Sequence, residues 1–156
     1  GGRSFIPATG GTFTFNNGNG GPDVGAFTAQ LQMAAPLVWT NMGSLSTITR
    51  SQGVTINWTG GDPNSYVNIS GLSIGSVNGS DTSFVVGNFT CQAPTAPGTF
   101  TVPPAVMESL PPSFLGLTTS NLSVSNVSTP ATFTATGIDI GYVAASVENT
   151  ILATYQ

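Results

Sequence analysis

The segment Val54-Thr55-Ile56-Asn57-Trp58-Thr59 decides the fold class, because its side chains alternate between apolar and polar. A period of two is the pattern of a strand that buries one face and exposes the other. We therefore predict that Val54, Ile56 and Trp58 point into a core. The same alternation recurs along most of the chain, in segments 12–15, 27–33, 67–69, 84–91, 99–102, 122–127, 132–136 and 141–155.

Turn-forming sequences separate these segments. Gly, Asn, Asp and Pro cluster at 18–23, 60–64 and 78–81, where they supply the φ values that a chain reversal needs. Only 104–110 has the pattern of a helix, because Pro104 suits a first turn and the prolines at 111 and 112 stop continuation. Nine to eleven short strands at this spacing predict an all-β fold, a single antiparallel β-sandwich that is immunoglobulin-like in the broad sense, with one short helix near 104–110.

Charge is scarce in this sequence of 156 residues. Charged residues make up 5% of the chain, Arg3 and Arg50 are the only bases, and the net charge is −4. This balance gives no electrostatic footprint for nucleic acid, and no apolar run reaches the ~20 residues of a membrane helix, so we expect neither nucleic-acid binding nor membrane insertion. Ser, Thr and Asn supply a third of the chain and Lys is absent. That composition is typical of exported proteins and predicts an extracellular or cell-surface location.

Few side chains could carry chemistry. Without His or Lys, no base is available to activate a Ser, Thr or Cys nucleophile. The single Cys91 can form neither an internal disulfide nor a thiolate metal site. Asp23, Asp62 and Asp81 lie in turn sequences and fit turn-forming or capping roles. We therefore expect no enzyme activity and no cofactor, while the oxygen-rich loop 16–23 leaves a weak calcium site open as an alternative.

The two ends of the chain suggest a function. We divide the chain into an extended N-terminal segment, residues 1–16, as a potential donor strand, and a sandwich domain, residues 17–156. Both the N-terminal segment and the ending 149–156 are strand-like, apolar and free of Lys. Exposed strands of this kind pair with other chains. We predict assembly with copies of the same chain into a homopolymer, through Phe5, Ile6, Phe13, Phe15, Ile151 and Tyr155. The alternative is a terminal strand that is tucked into its own sandwich.

Aromatic residues and sequons suggest a second function, that of a carbohydrate-binding module in a secreted protein. Trp39 and Tyr66 are the candidate contacts for cell-surface glycans, whereas Trp58 is in phase with the core. Six N-x-S/T sequons could accept glycans if the source glycosylates asparagine. They begin at Asn57, Asn68, Asn78, Asn88, Asn121 and Asn126, and we expect Asn78, in a turn, to be the most accessible.

Two resemblances to known proteins concern these residues. The ending 149–156, with Tyr155 next to last, resembles the C-terminal strand of chaperone–usher pilins. The stretch 54–67, with 89–91, 98–103 and 137–142, is similar to the C-terminal β-sandwich region of large secreted acidobacterial proteins with immunoglobulin-like modules, most of which lack assigned functions. The second resemblance spans 54–155 and implies an extracellular β-sandwich with no catalytic residues. We therefore expect an extracellular structural subunit or module that forms a filament or mediates adhesion.

Overall fold

Strands dominate the computed structural model, which describes residues 6–80, 82–117 and 119–156. Within these residues, the strands are interrupted by one helix, α1 (Pro104–Glu108), and by two 3-10 turns, Met42–Ser44 and Arg50–Gln52. The strands are β1 (Gly11–Asn16), β2 (Thr28–Met33), β3 (Val38–Trp39), β4 (Thr47–Ile48), β5 (Val54–Thr59), β6 (Tyr66–Ser76), β7 (Phe84–Pro94), β8 (Thr99–Val102), β9 (Asn121–Val127), β10 (Ala131–Ala135), β11 (Ile138–Val143), β12 (Ser146–Leu152) and β13 (Thr154–Tyr155).

A sandwich-like arrangement of two groups of strands surrounds the main core. The first group is an antiparallel sheet with the strand order β12-β9-β6-β7. The second group contains the sheet β3-β5-β8 and the pair β13-β4. Alternate residues of β5 are buried, which confirms the predicted inward positions of Val54, Ile56 and Trp58. Across the core they share one apolar cluster with inward residues of β6 and β9, which include Val67, Ile69, Leu122 and Val124.

The short helix closes one end of this core. Pro104 occupies its first turn, as predicted, and Met107 is fully buried. The helix ends at Glu108, two residues earlier than the predicted segment. Arg50 binds the chain just beyond it, because its Nη1 donates to the carbonyl of Leu110 at 2.7 Å. A side chain from another part of the chain thus satisfies a carbonyl that has no partner within the helix.

Two hairpins lie outside the main core cluster. In the first, β1 pairs with β2 from Gly11 opposite Met33 to Asn16 opposite Thr28. In the second, β10 pairs with β11. The hairpins contact each other where the rings of Phe27 and Phe133 stack, with 4.4 Å between their centroids. The boundary that we predicted at residue 16 therefore falls between the two strands of one hairpin.

The all-β prediction is confirmed, but two details differ from it. The described residues contain thirteen strands rather than nine to eleven, and three of them, β3, β4 and β13, have only two residues. Two residues are too few to produce a visible period. In addition, β13 pairs with β4 in parallel, whereas we predicted an antiparallel sandwich throughout.

Candidate assembly surface

The N-terminal candidates for assembly converge on one apolar pocket. Ile6, Phe13 and Phe15 line it together with Leu31, Met33 and Ala145, around a volume of about 120 Å³. Phe13 and Phe15 lie on the same side of β1 because successive side chains in a strand alternate. Phe15 is 45% exposed. Phe5, the remaining N-terminal candidate, lies outside the described residues.

The C-terminal candidates belong to the interior of their own chain. Tyr155 is 1% exposed, and its hydroxyl donates to the carbonyl of Asn121 at 2.7 Å. Burial raises the pKa of this phenol. Ile151 is half-buried and packs against the main core from β12. Tyr155 is therefore a core residue, as in the alternative reading of a terminal strand tucked into its own sandwich, and not a surface contact.

The four-stranded sheet ends in two strands, β7 and β12. Each pairs with one neighbour, β7 with β6 and β12 with β9. The strand β7 has 11 residues and no charged side chain, whereas β12 has 7 residues and includes Glu148. Sheet edges with unpaired main-chain groups can accept another strand. The fold therefore offers two such edges, β7 in the middle of the sequence and β12 near its C-terminal end.

The two candidates for glycan contact differ in exposure. Trp39 is 5% exposed, lies opposite Trp58 in the register of β3 and β5, and donates from Nε1 to Oδ1 of Asn41 at 3.0 Å. Our prediction of Trp39 as a glycan contact is therefore wrong, because core packing covers its ring. Tyr66 is 56% exposed at the start of β6. Of these two candidates, Tyr66 is the one whose ring is exposed.

The six sequons occupy very different environments. Asn78 is exposed in the turn between β6 and β7, with a φ of 52°, and Asn88 is also exposed. Asn57, Asn68 and Asn121 are half-buried on strands. Asn126 is buried, so its amide is inaccessible to a glycosylating enzyme in the folded chain.

Asn126 is instead the centre of a polar cluster. Its Oδ1 accepts from the backbone N–H of Asp62 at 2.9 Å. Its Nδ2 donates to the carbonyl of Tyr66 and to the hydroxyl of Thr95, each at 3.0 Å. The side chain thus joins β9 to the start of β6 and to the chain that follows β7. Sequence reasoning assigned Asn126 only as a sequon. The sequence did contain a signal for its burial: Asn126 lies two residues after the inward Val124, and residues two apart in a strand share a face.

Asp62 completes this cluster in the turn role that we predicted. Its carboxylate accepts hydrogen bonds from the backbone N–H groups of Asn64 and Thr129. Burial by itself opposes ionisation of Asp62, but the hydrogen bonds from Thr129 and Asn64 outweigh it and lower the pKa. The carboxylate thus ties the turn before β6 to the segment after β9.

The remaining candidate groups do not converge. The described residues contain no group of three or more His, Cys, Asp or Glu side chains that could hold a metal ion. In the loop 16–23, the side chain of Asn17 is held internally, since its Oδ1 accepts from the N–H of Phe27 at 2.9 Å and its Nδ2 donates to the carbonyl of Gly25 at 3.1 Å. Cys91 is a half-buried free thiol whose pKa is raised by burial.

Among the described helices, none has the length and apolarity to cross a membrane.

Comparisons with protein-family models, curated proteins and solved structures found no match to this chain. Two kinds of feature could take part in assembly, the apolar pocket beside β1 and the two edges of the four-stranded sheet.

Proposed function

We propose that this chain is an extracellular structural subunit or module that self-assembles into a filament, or mediates surface adhesion, by intermolecular strand pairing. The observation that carries the proposal is the position of β1. Among the strands that the structure describes, β1 pairs only with β2, in a two-stranded sheet, and no residue of these two strands belongs to the main core cluster. The N-terminal segment of one copy can therefore replace that of another without disturbing the main core.

The pocket beside β1 provides the contacts for such an exchange. Phe13 and Phe15 contribute apolar side chains to it, and Leu31, directly opposite Phe13 in the register, and Met33 of β2 are buried beside them. In an exchanged pair, Phe13 and Phe15 of one copy would take the same positions in the wall of the next copy's pocket. Exchange of an identical element between copies needs no new surface and is a low-cost route to assembly.

The charge distribution also favours association. The chain from Ile6 to Asn16 has no charged residue, and the whole chain has a net charge of only −4. Repulsion between copies is therefore weak, and it is screened within about 10 Å at ordinary ionic strength.

The proposal is tested by deleting residues 1–16 and by a double substitution, Phe13→Asn with Phe15→Asn, in the full chain. Negative-stain electron microscopy and light scattering measure assembly, and circular dichroism reports the fold. We expect fibres from the native chain, none from either variant, and a retained β signal. Thr14→Asn, on the opposite face of β1, is the matched control and should assemble normally. Normal polymerisation of the double variant, or a strictly monomeric native chain of 15.8 kDa, would contradict the proposal.

A second candidate function, that of a carbohydrate-binding module, is supported by the surroundings of Tyr66. Its exposed ring shares the outer face of the four-stranded sheet with Asn68 and Gln92, whose amides are joined by a hydrogen bond of 2.7 Å. A ring beside amide groups is suited to stack on and hydrogen-bond a sugar. Titration with soluble glycans should give a signal that Tyr66→Ala abolishes. Tyr142→Ala, at another exposed tyrosine, is the control, and equal loss in both variants would exclude this site.

A further inference from the structure

In the described part of the chain, β7 is the longest strand at the edge of a sheet. It pairs with β6 over its whole length, from Phe84 opposite Ser76 to Pro94 opposite Tyr66, without a shift of register. Apart from its pairing with β6, the main chain of β7 makes no backbone hydrogen bond to any residue that the structure describes. In an antiparallel strand, about half of the N–H and C=O groups then point away from the sheet.

This edge lacks the features by which proteins usually prevent edge pairing. Lysines, inward charges, prolines and bulges are the common devices. From Phe84 to Ala93 there is no charged residue and no proline, and Pro94 is the final residue of the strand. The opposite edge, β12, is shorter and has the acidic Glu148. The edge of β7 is therefore the better acceptor.

Exposed apolar residues at the start of β7 indicate what kind of partner fits. Phe84, Val85 and Val86 are 41%, 45% and 59% exposed. Successive side chains of a strand point to opposite faces of the sheet. A partner lying on one face would leave the other face uncovered, whereas a strand placed alongside the edge covers part of both.

A second copy of the chain can supply that strand without like-charge repulsion at the edge. Two copies each have a net charge of −4, so their contact must avoid placing acids side by side. None of the acids lies on β7. An uncharged antiparallel edge is also complementary to itself across a two-fold axis, which is the commonest symmetry of protein dimers.

We propose that β7 of one copy pairs antiparallel with β7 of a second copy, so that two four-stranded sheets become one eight-stranded sheet. This contact is separate from the N-terminal strand exchange and does not depend on it. It gives a closed dimer, because the β7 edges of both copies are occupied by each other.

The test begins from the full-length double variant Phe13→Asn with Phe15→Asn, in which N-terminal exchange is removed. Sedimentation velocity across a range of concentrations should show a monomer–dimer equilibrium. Adding Val86→Lys should weaken it at least tenfold, because a lysine on an edge strand opposes edge pairing and the partner β7 has no acidic residue to attract it. Val38→Lys, on β3 at 57% exposure, is the matched control and should leave the dimer unchanged.

Hydrogen exchange locates the contact. Amides within 84–93 should be protected more strongly at high than at low protein concentration, and Val86→Lys should remove the difference. A double variant that stays monomeric, equal weakening by both lysine substitutions, or protection confined to β12 would each overturn β7 pairing. None of these outcomes bears on N-terminal exchange. Conversely, fibres formed by the double variant would contradict N-terminal exchange while leaving the β7 dimer to be judged by Val86→Lys.

Discussion

The hydroxyl of Tyr155 donates a hydrogen bond of 2.7 Å to the backbone carbonyl of Asn121, and so joins the last strand of the chain to the first residue of β9. The main chain of Tyr155 is held as well. Its N–H donates to Oγ of Ser113 at 2.9 Å, and its carbonyl accepts from the N–H of Ser113 at 2.7 Å. The C-terminal strand therefore stabilises its own sandwich, and the strand pairing that we propose between copies uses other elements.

Replacing Tyr155 with Phe should destabilise the fold while leaving its shape intact. The ring would keep its packing, but the carbonyl of Asn121 would lose its hydroxyl donor. The expected loss in the free energy of unfolding is about 1 kcal/mol. Urea denaturation followed by fluorescence measures it. Tyr142→Phe, at a tyrosine that is 73% exposed, should have no effect, and equal losses in the two variants would contradict a specific role for Tyr155.

The same phenol should make the fold sensitive to alkali. Burial raises the pKa of Tyr155 above its ordinary value of 10.0. As pH rises past that value, the unfolded chain releases the proton before the folded chain does, so the free energy of unfolding should fall. Urea midpoints measured from pH 9 to pH 11 should decline in the native chain and decline less in Tyr155→Phe. Parallel curves for the two proteins would contradict this assignment.

Gly71 accommodates the packing of Tyr155 against β6. A Cβ at this position would overlap the ring of Phe89 and the hydroxyl of Tyr155. Gly71→Ala should therefore cost about 1–3 kcal/mol through overpacking. Gly43→Ala is the control, because a Cβ there meets nothing within 4 Å. Thermal unfolding of both variants provides the measurement, and a Gly71→Ala protein as stable as the control would mean that Phe89 or Tyr155 can move aside.

Local patterns predicted much of the fold, and the exceptions have physical causes. The alternation around Trp58 correctly placed its side chain in the core, and Pro104 correctly marked the start of a helix. Trp39 was misassigned because β3 has only two residues, which are too few to reveal which face is inward. Tyr155 was misassigned because pairing of β13 with β4 depends on residues more than a hundred positions away. Tertiary partners of this kind leave no local signal.

The grouping of the candidate residues was predictable only where they lie close together in the sequence. Ile6, Phe13 and Phe15 are close in sequence, and the structure brings them to one pocket. The edge of β7 was not foreseen, because a strand is an edge only through the absence of a neighbour. Its sequence, Phe84–Pro94, reads like that of any other strand.

Asn126 should be the most sensitive polar position in the sandwich. Asn126→Ala would leave the N–H of Asp62, the carbonyl of Tyr66 and the hydroxyl of Thr95 without this partner. The expected cost is about 2–4 kcal/mol, since each buried polar group left unsatisfied costs about 1–3 kcal/mol. Asn68→Ala, on the outer face of β6, is a matched control with an expected cost below about 1 kcal/mol. Equal urea midpoints for the two variants would contradict the central position of Asn126.

Asp62 should make the fold sensitive to acid. Burial opposes its ionisation, but the hydrogen bonds from Thr129 and Asn64 outweigh that effect and lower the pKa below its ordinary value of 3.8. The folded chain therefore releases this proton more readily than the unfolded chain. The resulting stabilisation is fully present above pH 3.8 and is lost as pH falls through the lowered pKa of the folded chain.

Asp62→Asn should reduce the free energy of unfolding at pH 6, and its difference from the native chain should shrink towards pH 2. Urea midpoints across this range give the measurement. Asp139→Asn, at an exposed acid on β11 without a hydrogen-bond partner among the described residues, is the control. A constant difference between Asp62→Asn and the native chain down to pH 2 would mean that the carboxylate charge is not what joins Asp62 to Thr129.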